Sequence, residues 1–196
     1  MKIWLSVFAL LVVSKIFQVD VHGVAPPQPQ VPCYFIFGDS LADNGNNNLL
    51  PTEARANYPP YGIDYPHGLT GRFTNGRTTV DIIAELLGFD KHIPPFTTAN
   101  GSDILQGGEY HLGQQAFAMK LGATGFKIWD VGCCQAGENG QCIPKQNTIC
   151  KERNEYLFWD SFHPTEAVNK MTAMRSYSTA DEYDAYPMDI KSLAKL

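Results

Sequence analysis

The chain has little charge and no concentration of it. Charged residues make up 18% of its 196 residues, the net charge is −5, and no lysine/arginine cluster occurs along it. An acidic chain without a basic patch lacks the electrostatic footprint of a nucleic-acid binder, so no nucleic-acid partner is expected. Long apolar runs are also missing. The longest, Ile3 to Val13 with one serine in it, falls short of the ~20 apolar residues that a membrane span needs. Metal motifs are equally scarce. The cysteines form no Cys-x-x-Cys pair with a nearby histidine, which argues against zinc, and the acidic spacing in Asp43–Asn48 does not fit a calcium loop. What is present is 44% apolar residues in a length that suffices for one domain with a single core.

The N-terminus reads as a secretory signal over residues 1–25. Lys2 supplies the charge, Ile3 to Val13 the apolar core, and Gly23 and Ala25 the small residues at which Val21-His22-Gly23 or Gly23-Val24-Ala25 would precede the cut. The localisation expected is therefore extracellular, with no integral membrane segment after signal removal and one domain over 26–196. An oxidising compartment gives the five cysteines a meaning. Cys133 and Cys134 are adjacent, and bridging neighbours is strained, so each pairs with Cys142 or Cys150 in one of two arrangements. Cys33 is left over, which points to a free thiol, an intermolecular bond or a missing partner. Asn100-Gly101-Ser102 is an N-glycosylation sequon, consistent with secretion.

Two stretches carry chemistry. In the first, the apolar run Tyr34-Phe35-Ile36-Phe37 stops at Gly38-Asp39-Ser40 and is followed by an asparagine-rich loop. Four large apolar residues bounded by turn signals predict a strand buried on both faces, and ligands of open α/β sheets bind beyond the carboxyl ends of strands. Ser40 thus stands where a nucleophile is useful; the plainer reading is a turn or a helix cap. The second stretch is Phe158-Trp159-Asp160-Ser161-Phe162-His163-Pro164. A serine hydroxyl is a weak nucleophile until a base takes its proton, and that base needs an orienting acid. His163 and Asp160 supply both within one turn, against the plainer reading of a loop carboxylate and a structural histidine. His67, near Asp64, is a weaker second candidate for the base.

These stretches join others. Phe35-Ile36-Phe37-Gly38-Asp39-Ser40-Leu41 with Asp43-Asn44-Gly45-Asn46-Asn47, Gly71-Arg72-Phe73-Thr74-Asn75-Gly76-Arg77, Gly132-Cys133-Cys134, and Tyr156 through Ala167 together resemble the plant GDSL esterase/lipase family of the SGNH hydrolase superfamily. The resemblance implies a three-layer α/β/α sandwich around a parallel sheet. It implies a carboxylic ester hydrolase that uses no metal or organic cofactor and takes a small-molecule or lipid ester. Ser40 would be nucleophile and backbone oxyanion donor, His163 general base and acid, and Asp160 the residue that orients His163. The resemblance also implies what is missing. The family's Gly block and its Gly-x-Asn-Asp block, which supply two further oxyanion donors, have no counterpart here, and nothing in the spacing makes Asn44, Asn46 or Gly108 a substitute. An internal deletion near 108–122 is expected, with an incomplete sheet. The alternative function is a catalytically inactive, truncated member of the same family.

The remaining segments set further expectations. Ala25 to Pro32 reads as extended and poorly ordered. Asn57 to Gly76, rich in tyrosine, proline and glycine, reads as an irregular surface loop whose aromatic residues pack it onto the body or line a substrate entrance. Arg77 to Leu87 predicts a helix capped by Thr78 or Thr79 and ended by Gly88, with Val80, Ile83, Ala84 and Leu87 inward and Asp81 and Glu85 outward. Tyr110 to Leu121 predicts a short helix and Gly125–Val131 a strand with fair alternation. A helix is expected from Thr165-Glu166 to about Met174 with Val168, Met171 and Met174 as its stripe, and a short one within Met188–Leu196.

Overall fold

The computed structural model describes residues 28–100, 109–111 (backbone alone), 125–179, 181 and 184–196. The expected signal segment 1–25, the lead-in as far as Pro27, most of the helix expected after Tyr110, and Gly108 lie outside these residues.

Two parallel strand pairs and two packed helices organise the described chain. Strand β1 (Ile36–Gly38) pairs with β2 (Glu109–His111), in register from Ile36 opposite Glu109 to Gly38 opposite His111. Strand β3 (Ile128–Gly132) pairs with β4 (Tyr156–Phe158) through an irregular register. The ladder then runs on past the named strands, where the Cys133 N–H donates to Phe158 O and the Cys134 N–H to Trp159 O, at 3.0 and 2.9 Å. Mixed α/β architecture is thereby borne out. The burial expected of the strands is not. Ile36 is buried, but Phe37 is 62% exposed, and Trp129 and Val131 on β3 are both exposed. Among the described residues each pairing is only two strands wide, so one helix layer cannot cover both faces. Tyr110 and His111 are strand rather than helix, because β1 offers them a ladder that overrides a weak helical pattern interrupted by Gly113.

Helix α1 (Thr79–Leu87) follows its sequence closely. Thr78 is the N-cap and forms a reciprocal capping box with Asp81, while Gly88 closes the other end in the left-handed region at φ 89°. The Gly88 and Phe89 N–H groups return to the carbonyls of Glu85 and Ala84. Its apolar face joins Ile36, Ala42, Phe89, Ile93 and Ala173 in one core. Asp81 does not face out as expected; it is fully buried, because Arg72 reaches it with two hydrogen bonds of 2.7 Å. Burial by itself would raise the Asp81 pKa, but the Arg72 hydrogen bonds and charge outweigh it and hold the carboxyl below its ordinary range.

Helix α2 (Glu166–Tyr177) packs against α1 and buries Val168, Asn169 and Ala173; Met174 is exposed, so the inward stripe turns through Ala173 instead. The short α3 (Ile190–Leu193) is capped by Asp189, whose carboxylate accepts the Ser192 N–H. The end of the lead-in is more ordered than its composition implies. Gln30 donates its N–H to Leu87 O, and its side chain bonds Leu86 O and Tyr177 Oη, which ties it to the ends of both helices.

Candidate active site

Three loops meet at the site. The first begins at the end of β1, where the chain turns at Asp39–Ala42. The Ala42 N–H donates to Asp39 O and the Leu41 N–H to Asp39 Oδ1, which leaves Ser40 half-buried at the turn. Asp43 shapes the next turn by accepting the Gly45 and Asn46 N–H groups, and a 3-10 helix follows over Asn46–Leu49. The asparagine-rich loop is thus a folded, largely buried segment.

The second loop leaves β4 through Trp159. The Trp159 N–H donates to His163 O at 2.7 Å, and the Thr165 N–H to Leu157 O, which closes residues 160–163 into a tight turn. Asp160 and His163 are both buried. Oδ1 of Asp160 accepts the backbone N–H groups of Phe162 and His163 at 3.0 and 2.8 Å, so the carboxylate organises the very turn that carries it. Oδ2 lies 2.6 Å from His163 Nδ1. A carboxylate only accepts, so Nδ1 carries the proton and Nε2 is left as the acceptor. Nε2 lies 2.8 Å from Ser40 Oγ, 123 residues away in sequence. The structure therefore brings Ser40, His163 and Asp160 into one line of hydrogen bonds. Phe73 and Phe162 flank the imidazole with ring centroids 4.8 and 4.2 Å from it.

The third loop is Asn57–Gly76, and Tyr61, Tyr65 and Phe73 are buried, so these aromatic residues pack it onto the body, one of the two roles expected of them; Thr74 is buried with them. Thr74 Oγ1 donates to Pro164 O, Asn75 Oδ1 accepts the Glu166 N–H, and Arg77 pairs with Glu166. This segment clamps the turn that bears His163. It also supplies a residue that the sequence reading missed: the Tyr61 hydroxyl donates to Asp160 Oδ2 at 2.6 Å. No spacing signal marks a tyrosine 99 residues from its partner. Burial and the adjacent Asp160 carboxylate push the phenol pKa well above its ordinary value, so the hydroxyl keeps its proton.

The other candidates lie apart from this line. His67 is exposed and stacks edge-on with Tyr65, while Asp64 accepts from Asn75 and faces Arg153. Asn44 spends its amide on Ile93 O. Asn100 is exposed. The disulfides are Cys133–Cys150 and Cys134–Cys142, which selects one of the two arrangements left open by spacing; Cys33 is free. Among the described residues no cluster of histidine, cysteine, aspartate or glutamate could hold a metal ion, and no helix is long and apolar enough to cross a membrane. A cavity of about 800 Å³ opens elsewhere, between Tyr65, Arg72, Glu85, His92 and Ile93, and neither Ser40 nor His163 lines it. Its polar groups face one another, with Tyr65 Oη 2.5 Å from His92 Nδ1 and His92 Nε2 2.7 Å from Glu85.

A GDSL esterase/lipase of Arabidopsis thaliana is 56% identical to this chain over 359 aligned positions, which take in 96% of this chain and 99% of the relative. The chain belongs to the plant GDSL esterase/lipase family. A second GDSL esterase/lipase of the same plant is 29% identical over 342 positions, covering 88% of this chain and 94% of the relative. A third is 42% identical over 178 residues, covering 86% of this chain but 49% of the relative. Because the first alignment runs over 359 positions and this chain has 196 residues, the chain holds about half as many residues as that relative, and the shortfall is internal. No family model and no solved structure matches the GDSL chain.

Proposed function

We propose that this chain is a secreted serine ester hydrolase acting on small-molecule or lipid carboxylic esters. The observation that carries the reading is the unbroken line of hydrogen bonds from Ser40 Oγ through His163 to Asp160. In the proposed reaction Ser40 Oγ attacks the acyl carbon while His163 Nε2 takes its proton. The Ser40 N–H faces the developing oxyanion. His163 then delivers the proton to the leaving alcohol, and the acyl-enzyme is released by water through the same steps. Asp160 holds the imidazole in the required tautomer and stabilises its charged form. Neither a metal nor an organic cofactor enters this scheme.

In the same reading residues 1–25 are a signal peptide, residues 26–196 are one GDSL domain, and Asn100 carries a glycan. The domain is a three-layer sandwich reduced by an internal deletion near 108–122. Support for that architecture comes from the parallel pairing of both strand pairs and from the aligned length of the relatives.

The test is hydrolysis of a short-chain p-nitrophenyl ester by the secreted chain, alongside Ser40→Ala and His163→Ala, with circular dichroism on each sample. Each variant should lose about a thousandfold or more in turnover while remaining folded. Turnover retained in both would sink the proposal. One observation favours a second reading, a protein that binds esters without turning them over. The sequence holds no Gly-x-Asn-Asp block, and each oxyanion donor lost costs about 10²–10³ in rate. A folded parent chain without hydrolysis would select that reading.

A further inference from the structure

Oδ2 of Asp160 receives two donors, and the proposed reaction uses one of them. The second is the Tyr61 hydroxyl at 2.6 Å. Tyr61 is fully buried, and its ring is held edge-on by Tyr58 and Phe73 at centroid distances of 5.3 and 5.9 Å. Its oxygen also accepts the Cys142 N–H at 3.1 Å. Cys142 is bridged to Cys134, whose own N–H donates to Trp159 O, next to Asp160. The path from Asp160 through Tyr61, Cys142, the disulfide, Cys134 and Trp159 is therefore a closed ring.

We infer that Tyr61 is a positioning residue for the site: it fixes the rotation of the Asp160 carboxylate, shares its charge with the His163 N–H, and is itself held by the Cys134–Cys142 disulfide loop. The inference rests on the ester-hydrolase reading only for its kinetic consequence. Two donors on one carboxylate oxygen compete for its electron density, so weakening one strengthens the other. Tyr61→Phe keeps the ring and its packing but removes the hydroxyl. Site-specific fluorotyrosine at position 61 keeps the shape and makes the phenol a stronger donor.

The experiment reads two signals on the full secreted chain. The first is the far-downfield proton resonance of the His163 Nδ1–H. Tyr61→Phe should move it further downfield, and fluorotyrosine should move it upfield. The second is phosphonylation of Ser40 by a fluorophosphonate probe. In Tyr61→Phe its limiting rate should fall about tenfold, the size expected for losing part of a charge-assisted hydrogen bond, with an unchanged half-saturating concentration. A wild-type chain without the resonance, a resonance that stays in place in both altered chains, or a labelling rate equal to wild type would overturn the inference. If Tyr61→Phe fails to fold, the fluorotyrosine chain decides. Labelling of Ser40→Ala equal to that of wild type would sink the hydrolase reading alone, while the resonance still decides the role of Tyr61.

Discussion

Replacing Arg72 with methionine removes the partner of a carboxylate that has no access to water. Arg72 and Asp81 are 5% and 0% exposed and share two hydrogen bonds of 2.7 Å; the guanidinium also lies 4.2 Å above the Tyr65 ring. Breaking a buried pair by removing one member costs about 3–5 kcal/mol, since the remaining charge stays desolvated. For a domain of this size each kcal/mol lowers Tm by about 2–4 °C, so Arg72→Met should melt roughly 6–20 °C below wild type at pH 7. The pH dependence has a definite sign. In the wild-type fold the Asp81 pKa lies below its ordinary value of 3.8, so the unfolded chain binds the proton more readily. The stability that Asp81 confers is complete above that ordinary value and is lost as pH falls through the lower folded-state value. In Arg72→Met the carboxyl is buried without its cation, its pKa rises, and protonation now favours the folded state. The gap between the two proteins should therefore narrow as pH is lowered from 7 toward 4. Thermal melts at several pH values measure this. A gap below about 1 kcal/mol at pH 7, or one that does not change with pH, would refute the reasoning.

Gly132→Ala should disturb the site from a distance in sequence, because a Cβ at Gly132 would stand 2.4 Å from Asp160 O. An overpacking of this kind costs about 1–3 kcal/mol, and Ser40 labelling by a fluorophosphonate should slow in parallel with the fall in Tm; unchanged labelling would count against the packing argument. Peptide mapping of the unreduced chain should recover Cys133–Cys150 and Cys134–Cys142 and find Cys33 alkylated. Reducing the bridges, which close spans of 17 and 8 residues, should destabilise the fold by about 2–3 kcal/mol each in thermal melts. The reversed pairing would contradict the described loop.

Local signals were legible where a residue's role depends on its near neighbours. Thr78 and Gly88 are marked by capping chemistry that acts over three or four residues, and the helix they bound starts and stops close to where that chemistry places it. Ser40, Asp160 and His163 could be singled out only because their two stretches stand with others that resemble one family; taken alone, each reads as readily as a turn, a loop carboxylate or a structural histidine. Tertiary demands were invisible. Asp81 reads as a solvent-facing helix residue until Arg72 is folded onto it. Tyr61 reads as one aromatic among several in an irregular loop until Asp160 comes within 2.6 Å. The strand at Tyr156–Phe158 was hidden inside a motif whose interest lay in its last residues, and its partner at Ile128–Gly132 shows no inward alternation because its described side chains are mostly exposed.

The clamp on the turn that carries His163 has a topological consequence. Thr74, Asn75, Arg77 and Tyr61 reach that turn from before residue 100, and Cys134 and Cys142 support it from after residue 125. The two flanks thus grip each other directly, like the halves of a clasp. The contact between Ser40 and His163, 123 residues apart, is framed by two flanks that hold each other without an intermediary.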